Sequence, residues 1–368
     1  MTTNPHLPNH LIHELMHTIC FKKSGDAMVQ LALSGKEPFS VFQYIIENRA
    51  HAYTDCGDIA LLCSSPYTSP SVSLKYRTEG SKHLTVRFVQ NLLVDSPLSK
   101  DLHFEKIIDL TIRRYAKPFT SLLDSWTDLE VLKMCDITDA ASDDFFDDFV
   151  NTSLPNLRKL DIGLTLKGCI KLMALIPRIP LPEEVIFHIS IKSHALLNLG
   201  SLQTFSNVKR FVANIQVWTQ MTSPLLHLLS SIINSFPSLE TAKIAFTYTH
   251  DAFPNDFANV ASFHEWLCNT KFSAAIEISC EELVDVTNID NVIDVYNKLK
   301  SIGYEECGAA FYLVTKKEYG NVKLVHRIQH YDDSSDDDQL LADLIQNYLY
   351  GSDNGDYDDD DSEDSSDD

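Results

Sequence analysis

No string in these 368 residues has the form G-x-x-x-x-G-K-[ST], G-x-G-x-x-G or G-x-S-x-G. A phosphate cradle of backbone amides or a strained nucleophile elbow therefore has no anchor. The eight cysteines (20, 56, 63, 135, 169, 268, 280 and 307) include no C-x-x-C pair. A disulfide framework needs an oxidising compartment and usually a much smaller chain, so reduced, mostly buried thiols are expected. No stretch approaches the roughly 18 consecutive apolar residues of a membrane span. The first 20 residues hold four histidines and no unbroken apolar run, unlike a secretory leader. These absences predict a cytoplasmic or nuclear protein without a membrane partner.

Basic residues are absent from one region only. Between Asp332 and Asp368 there are 16 acids and no Lys or Arg. The net charge of -22 belongs mainly to that tail, because the other 331 residues carry 36 acids against 30 bases. Such Asp/Ser-rich composition cannot offset its ordering entropy, so residues 331–368 are expected to be disordered. Within it, Leu340, Leu341, Leu344, Ile345, Tyr348 and Leu349 share one face of a possible short helix over 339–350.

What is present is periodic. In residues 1–50, Leu11, Ile12, Leu15, Met16 and Ile19 recur at helical spacing behind Leu7-Pro8-Asn9, where Pro suits a helix start. Ala27, Met28, Leu31, Ala32 and Leu33 make a second apolar set, and Phe39, Phe42, Ile45 and Ile46 a third. Three short helices form a small head. Residues 51–100 read as a connecting hairpin region or cap, with Val72, Leu74, Tyr76 and Leu84, Val86, Phe88 as two arms around Thr78-Glu79-Gly80-Ser81.

From 101 to 330 six segments fit apolar-x-x-apolar-x-apolar: Ile107/Leu110/Ile112, Leu129/Leu132/Met134, Leu157/Leu160/Ile162, Glu184/Phe187/Ile189, Val208/Phe211/Ala213 and Leu239/Ala242/Ile244. They start 22, 28, 27, 24 and 31 residues apart, with helical stretches between them over 143–150, 168–176, 195–205 and 225–236. Three share an opening: Leu154-Pro155-Asn156-Leu157, Phe205-Ser206-Asn207-Val208 and Phe236-Pro237-Ser238-Leu239. One strand and one helix per 20–30 residues is the signature of a leucine-rich-repeat solenoid. The predicted fold class is thus α/β: a leucine-rich-repeat-like solenoid of parallel strands with helices on the convex side, a helical head and an acidic tail. The repeats are degenerate, with Ile137 and Thr165 where the consensus places Asn or Cys. Segments 275–280 and 309–314, with a helix over 292–299 between them, extend or cap the array.

The head, Leu7-Pro8-Asn9-His10-Leu11-Ile12-His13-Glu14-Leu15-Met16 followed by Leu31-Ala32-Leu33-Ser34-Gly35-Lys36 and Phe39-Ser40-Val41-Phe42, resembles an F-box. The resemblance covers about 45 residues. It implies helices that dock on the Skp adaptor of a cullin-type ubiquitin ligase, with a repeat domain behind them capturing a protein substrate. It further implies that Leu7, Pro8, Leu11, Ile12, Leu15, Met16 and Leu31 are the adaptor-facing or head-core residues. Such a receptor needs no catalytic residue and no cofactor; it raises the effective concentration of a substrate near a transferring enzyme. The expected partners are that adaptor and a target protein, not nucleic acid, with the chain a monomer within its complex. A scaffold that binds proteins without a ligase link is the alternative.

Two further patterns bear on function. If the strands stack, Lys133, Arg158, Lys159, Lys209, Arg210 and Lys243 point to a shared concave face, with Glu130, Asp161 and Glu240 among them. This predicts a locally basic, partner-binding surface suited to an acidic segment. Second, His13-Glu14-Leu15-Met16-His17 is an H-E-x-x-H string, which on a helix offers two zinc ligands and a general base. No third ligand is marked beyond the dispersed Glu37 and Glu47, and the region is His-rich anyway. A zinc metallopeptidase is the third reading; a solvent-facing helix edge explains the string better, so no metal ligand is assigned.

Overall fold

The computed structural model describes residues 7–55, 58–64, 71–95, 103–113, 123, 126–137, 146, 149, 153–175, 181–191, 202–217, 223–248, 257–285, 289–307 and 312–331. The acidic tail and its expected helix lie outside these, as do most of the helical stretches expected over 143–150 and 195–205. Among the described residues the chain is α/β, with an open, mostly parallel sheet of 14 strands. No helix among the described residues is long and apolar enough to cross a membrane.

Three helices open it: α1 (Asn9–Phe21), α2 (Gly25–Ala32) and α3 (Lys36–Arg49). Pro8 immediately precedes α1, and its carbonyl accepts from the amides of Leu11 and Ile12. Lys23 ends the turn after α1 with a positive φ of 61°, and the Ser24 hydroxyl caps α2 by accepting from Ala27 N–H. Gly25 is required there. A Cβ on it would lie 2.3 Å from the Tyr76 ring. The same corner is stitched by backbone bonds between Lys75 and both Lys23 and Gly25.

β1 (Ala50–Asp55), β2 (Asp58–Cys63) and β3 (Val72–Leu74) form an antiparallel edge. The expected second hairpin arm is not a strand. Leu84 and Val86 belong to helix α4 (Glu79–Arg87), with Phe88 just past its end. Thr85 and Val86 are its buried residues, Val89 just beyond its end is buried as well, and Gly80 sits in its first turn. A five-residue apolar alternation fits both periods, and packing decides.

From there strands follow one another in register: β4 (Asn91–Val94), β5 (Asp109–Ile112), β6 (Val131–Ile137), β7 (Lys159–Thr165), β8 (Glu184–Ile191), β9 (Arg210–Val217), β10 (Thr241–Tyr248) and β11 (Ala275–Asp285). Each is parallel to the next. Helices α5 (Leu166–Leu175), α6 (Ser223–Asn234), α7 (Phe257–Asn269) and α8 (Ile289–Ser301) lie in the connections. β14 (Val322–Tyr331) then pairs parallel with β11, while β13 (Tyr312–Tyr319) and β12 (Glu305–Glu306) close the far edge antiparallel.

The registers align apolar residues into rows across the sheet. One row reads Leu92, Leu110, Leu132, Leu160, Val185, Phe211, Ala242, Ile276, Val322, and the next Val94, Ile112, Met134, Ile162, Phe187, Ala213, Ile244, Ile278, Leu324. All are buried. The alternate residues face the other way and are polar or half-exposed. These rows correct the frame expected in β8. Val185, not Phe187, stands beside Leu160 and Phe211, so the pattern there begins at the buried Pro182 instead of Glu184. A shift of two keeps every side chain on its face, which is why periodicity alone did not reveal it. A continuous core runs from Ile12 and Met16 in the head to Leu324 in β14, so the head shares its interior with the sheet.

Candidate functional site

On α1, Ile12, Met16 and Cys20 turn inward while Leu11 and Leu15 turn out, 39% and 41% exposed, and Leu7, just before the helix, is 48% exposed. Both sets follow the i, i+4 spacing that puts side chains on one helical edge. The seven residues expected to face an adaptor or fill the head therefore divide: Leu7, Pro8, Leu11 and Leu15 are exposed, Ile12 and Met16 are core, and Leu31 is half-buried against that core. Phe21, Leu33 and Tyr44 are the other large, well-exposed hydrophobics among the described residues, all on the same three-helix unit or its turns. Concentrated exposed apolar surface of this kind marks an interaction site more often than scattered single residues do.

The H-E-x-x-H string occupies the same helix. His17 Nε2 lies 2.9 Å from the Arg49 guanidinium, which donates to it and so uses the lone pair a metal would need. Burial, then the Arg49 and His13 charges, hold the His17 pKa below its ordinary value. His13 meets the Tyr44 ring edge-on, and Glu47 accepts from Gln43.

The polar side of the sheet carries the six expected partner-binding bases, each paired with an acid. Lys133 bonds Asp109 at 2.9 Å, Lys159 bonds Glu184 at 2.8 Å, and Lys243 bonds Glu277 at 2.9 Å. Arg210 reaches the same Glu184 at 3.2 Å, Lys209 holds Glu183 at 2.8 Å, and Arg158 stands 4.0 Å from Glu130. The six expected bases thus meet five acids, which come from the neighbouring strand or its preceding turn. Hydrogen bonds from Lys159 and Lys209 lower the pKa of Glu184 and Glu183 respectively. Exposed pairs of this type contribute little to stability, so a ligand can exchange them at small cost. Ile186 and Val212 lie half-exposed between them.

A third group had no sequence signal. At the β11–β14 seam, Cys280, Glu282 and His326 are buried, and their donor atoms all lie within 4.8 Å of one another. Cys280 Sγ is 3.3 Å from Glu282 Oε1, and His326 Nε2 is 3.3 Å from the same oxygen. Behind them His264 of α7 joins Tyr304 and Tyr319, each at 2.6 Å, and Tyr304 Oη also meets His326 Nδ1 at 2.7 Å. Burial, reinforced by the His326 and Lys317 charges, lowers the His264 pKa to about 4, so this imidazole is neutral. Burial raises the Cys280 and Tyr304 pKa values, and that of Tyr319 to about 12.

No family model matches the sequence, and comparison with curated proteins finds no match.

Proposed function

We propose that this chain is a substrate-recognition subunit of a cullin-type ubiquitin ligase, docking on a Skp-type adaptor through α1 and capturing a target protein on the polar side of its sheet. The observation that carries the reading is the outward pair Leu11 and Leu15, with Leu7 exposed just before them, on a helix whose opposite edge is already fixed in the core. A helix held rigidly on one side presents apolar anchors on the other without an ordering cost on binding. The F-box-like string supplies these residues.

The sheet is a degenerate leucine-rich-repeat-like solenoid in this reading. Its support is repetition at the level of hydrogen bonds. The carbonyls of Gln90, Ile108, Glu130, Glu183 and Lys209 each accept from two consecutive amides of the next unit. The turns Trp126–Leu129, Leu154–Leu157 and Phe236–Leu239 close with the same bond from the fourth residue back to the first. Stacked units of this kind expose one long face, and the ladder of paired charges is that face. The work is done by placement, not chemistry, in the cytoplasm or nucleus.

Co-expression with the adaptor tests this. Burying the exposed two-fifths of Leu11 and of Leu15 is worth about 1 kcal/mol each, so Leu11→Asp with Leu15→Asp weakens association by about 30-fold or more. Both side chains are outside the core, so the thermal melt stays put. Retained adaptor in the double variant contradicts the docking mode; absent adaptor with the wild type leaves the protein-binding scaffold.

A further inference from the structure

We infer that Cys280, Glu282 and His326 form a binding site for one zinc ion that clasps β11 to β14. The topology brings the ligands together. Cys280 and His326 are register partners on adjacent parallel strands, and Glu282 lies two residues beyond Cys280 on the same face. Their spacing fits an ion. Zinc at about 2.0 Å from N and O and about 2.3 Å from S puts neighbouring tetrahedral ligands about 3.3 to 3.5 Å apart. Two edges of the triangle, Cys280 Sγ to Glu282 Oε1 and Glu282 Oε1 to His326 Nε2, are both 3.3 Å, and the third is within 4.8 Å.

Hydrogen-bond accounting points the same way. The Tyr304 phenol has one proton and lies between two imidazoles, so it donates to one and accepts from the other. If it donates to His326 Nδ1, the proton of His326 sits on Nε2. That nitrogen is completely buried and has no hydrogen-bond partner. If it donates to His264, His326 Nδ1–H donates to the phenol and a bare Nε2 lone pair faces the Glu282 carboxylate. For a neutral His326 beside an ionised Glu282, the first arrangement leaves a buried donor without a well-aligned acceptor and the second sets two lone pairs against each other, and each is costly. A cation between them resolves the second arrangement.

That arrangement is also how metal-bound histidines are held, with the second ring nitrogen donating to an outer partner. Here the relay continues: Tyr304 O–H to His264 Nε2, then His264 Nδ1–H to the Tyr319 oxygen. Phe263 walls the site edge-on to His326 at 5.4 Å. One thiolate, one imidazole and one carboxylate select zinc over calcium or magnesium, which prefer oxygen alone. On binding, the Cys280 thiol gives its proton to solvent and the S–H bond is replaced by S–Zn. Three protein donors leave one tetrahedral position for water. The place is mechanically apt, because here the sheet stops following chain order: β14 joins β11 while β12 and β13 are carried to the edge.

The test uses the full chain, stripped with chelator and titrated with Zn²⁺ or Co²⁺. One equivalent should bind, the cobalt form should show thiolate-to-metal charge-transfer absorption, and the melting temperature should rise with metal. Cys280→Ser should lose the absorption and the metal-dependent rise, and Tyr304→Phe should weaken affinity by about tenfold or more. If the stripped wild type takes up no metal, or the cobalt band survives Cys280→Ser, the assignment is overturned; in the latter case another cysteine supplies the thiolate. Should either variant not fold, the wild-type stoichiometry and charge-transfer band still decide.

Discussion

Phe211→Ala removes an enclosed aromatic of the sheet's buried side. The ring is 1% exposed and lies between Phe187, at 5.5 Å and edge-on, and Phe236, at 5.1 Å and tilted, with Phe205 a further 6.0 Å beyond Phe236. Truncating a fully buried Phe costs about 3–5 kcal/mol, and two lost aromatic contacts place this site toward the upper half of that range, near 4 kcal/mol. For a chain longer than 250 residues each kcal/mol lowers the melting temperature by about 2 °C, so a fall of about 8 °C is expected by calorimetry. Val212→Ala is the internal control. Val212 is the next residue, half-exposed on the polar face, and its truncation should cost less than about 1 kcal/mol. Equal effects at 211 and 212, or a fall below about 2 °C for Phe211→Ala, would refute the register that puts Phe211 beside Val185 and Ala242.

Two more outcomes follow from the geometry. Gly25→Ala drives a methyl into the Tyr76 ring and should destabilise by about 1–3 kcal/mol, whereas Gly80→Ala, in a helix with nothing within 4 Å of the added carbon, should stabilise by up to about 1 kcal/mol; opposite signs in denaturant titrations check both. Glu184, whose pKa is lowered by Lys159 and Arg210, stabilises the fold above the unfolded carboxylate pKa of about 4.3 and loses that contribution as pH falls through its lower folded value. Glu184→Gln should therefore flatten the melting temperature against pH below about 4.3, and an unchanged acid slope would show that the pair adds nothing.

The strands were legible because Leu, Ile, Val and Phe recur at every second position over spans too short for a helix, and the turns before them repeat a Pro/Ser-Asn/Ser pair. Register was less so. Phe187 drew the frame of β8 because it is the bulkiest apolar residue there, and only pairing with Leu160 and Phe211 returns the row to Val185. The ion pairs of the polar face were hidden for a related reason: Lys243 and Arg210 meet their acids on the adjacent strand, a neighbour that sequence spacing does not display. In the head, the period of α1 was readable, yet which edge turned inward, Ile12 and Met16 or Leu11 and Leu15, depended on the packing of α2 and α3. Cys280, Glu282 and His326 were invisible because the third ligand comes from a strand that follows two others in the chain and precedes them in the sheet.

The central claim is that the head carries this protein onto an adaptor. The most direct measurement is light scattering on the purified full chain mixed with a purified Skp-type adaptor and resolved by gel filtration. A single peak with the summed mass of one copy of each is the predicted result. Two separate peaks at micromolar concentration, from a chain whose melt shows it folded, would contradict it.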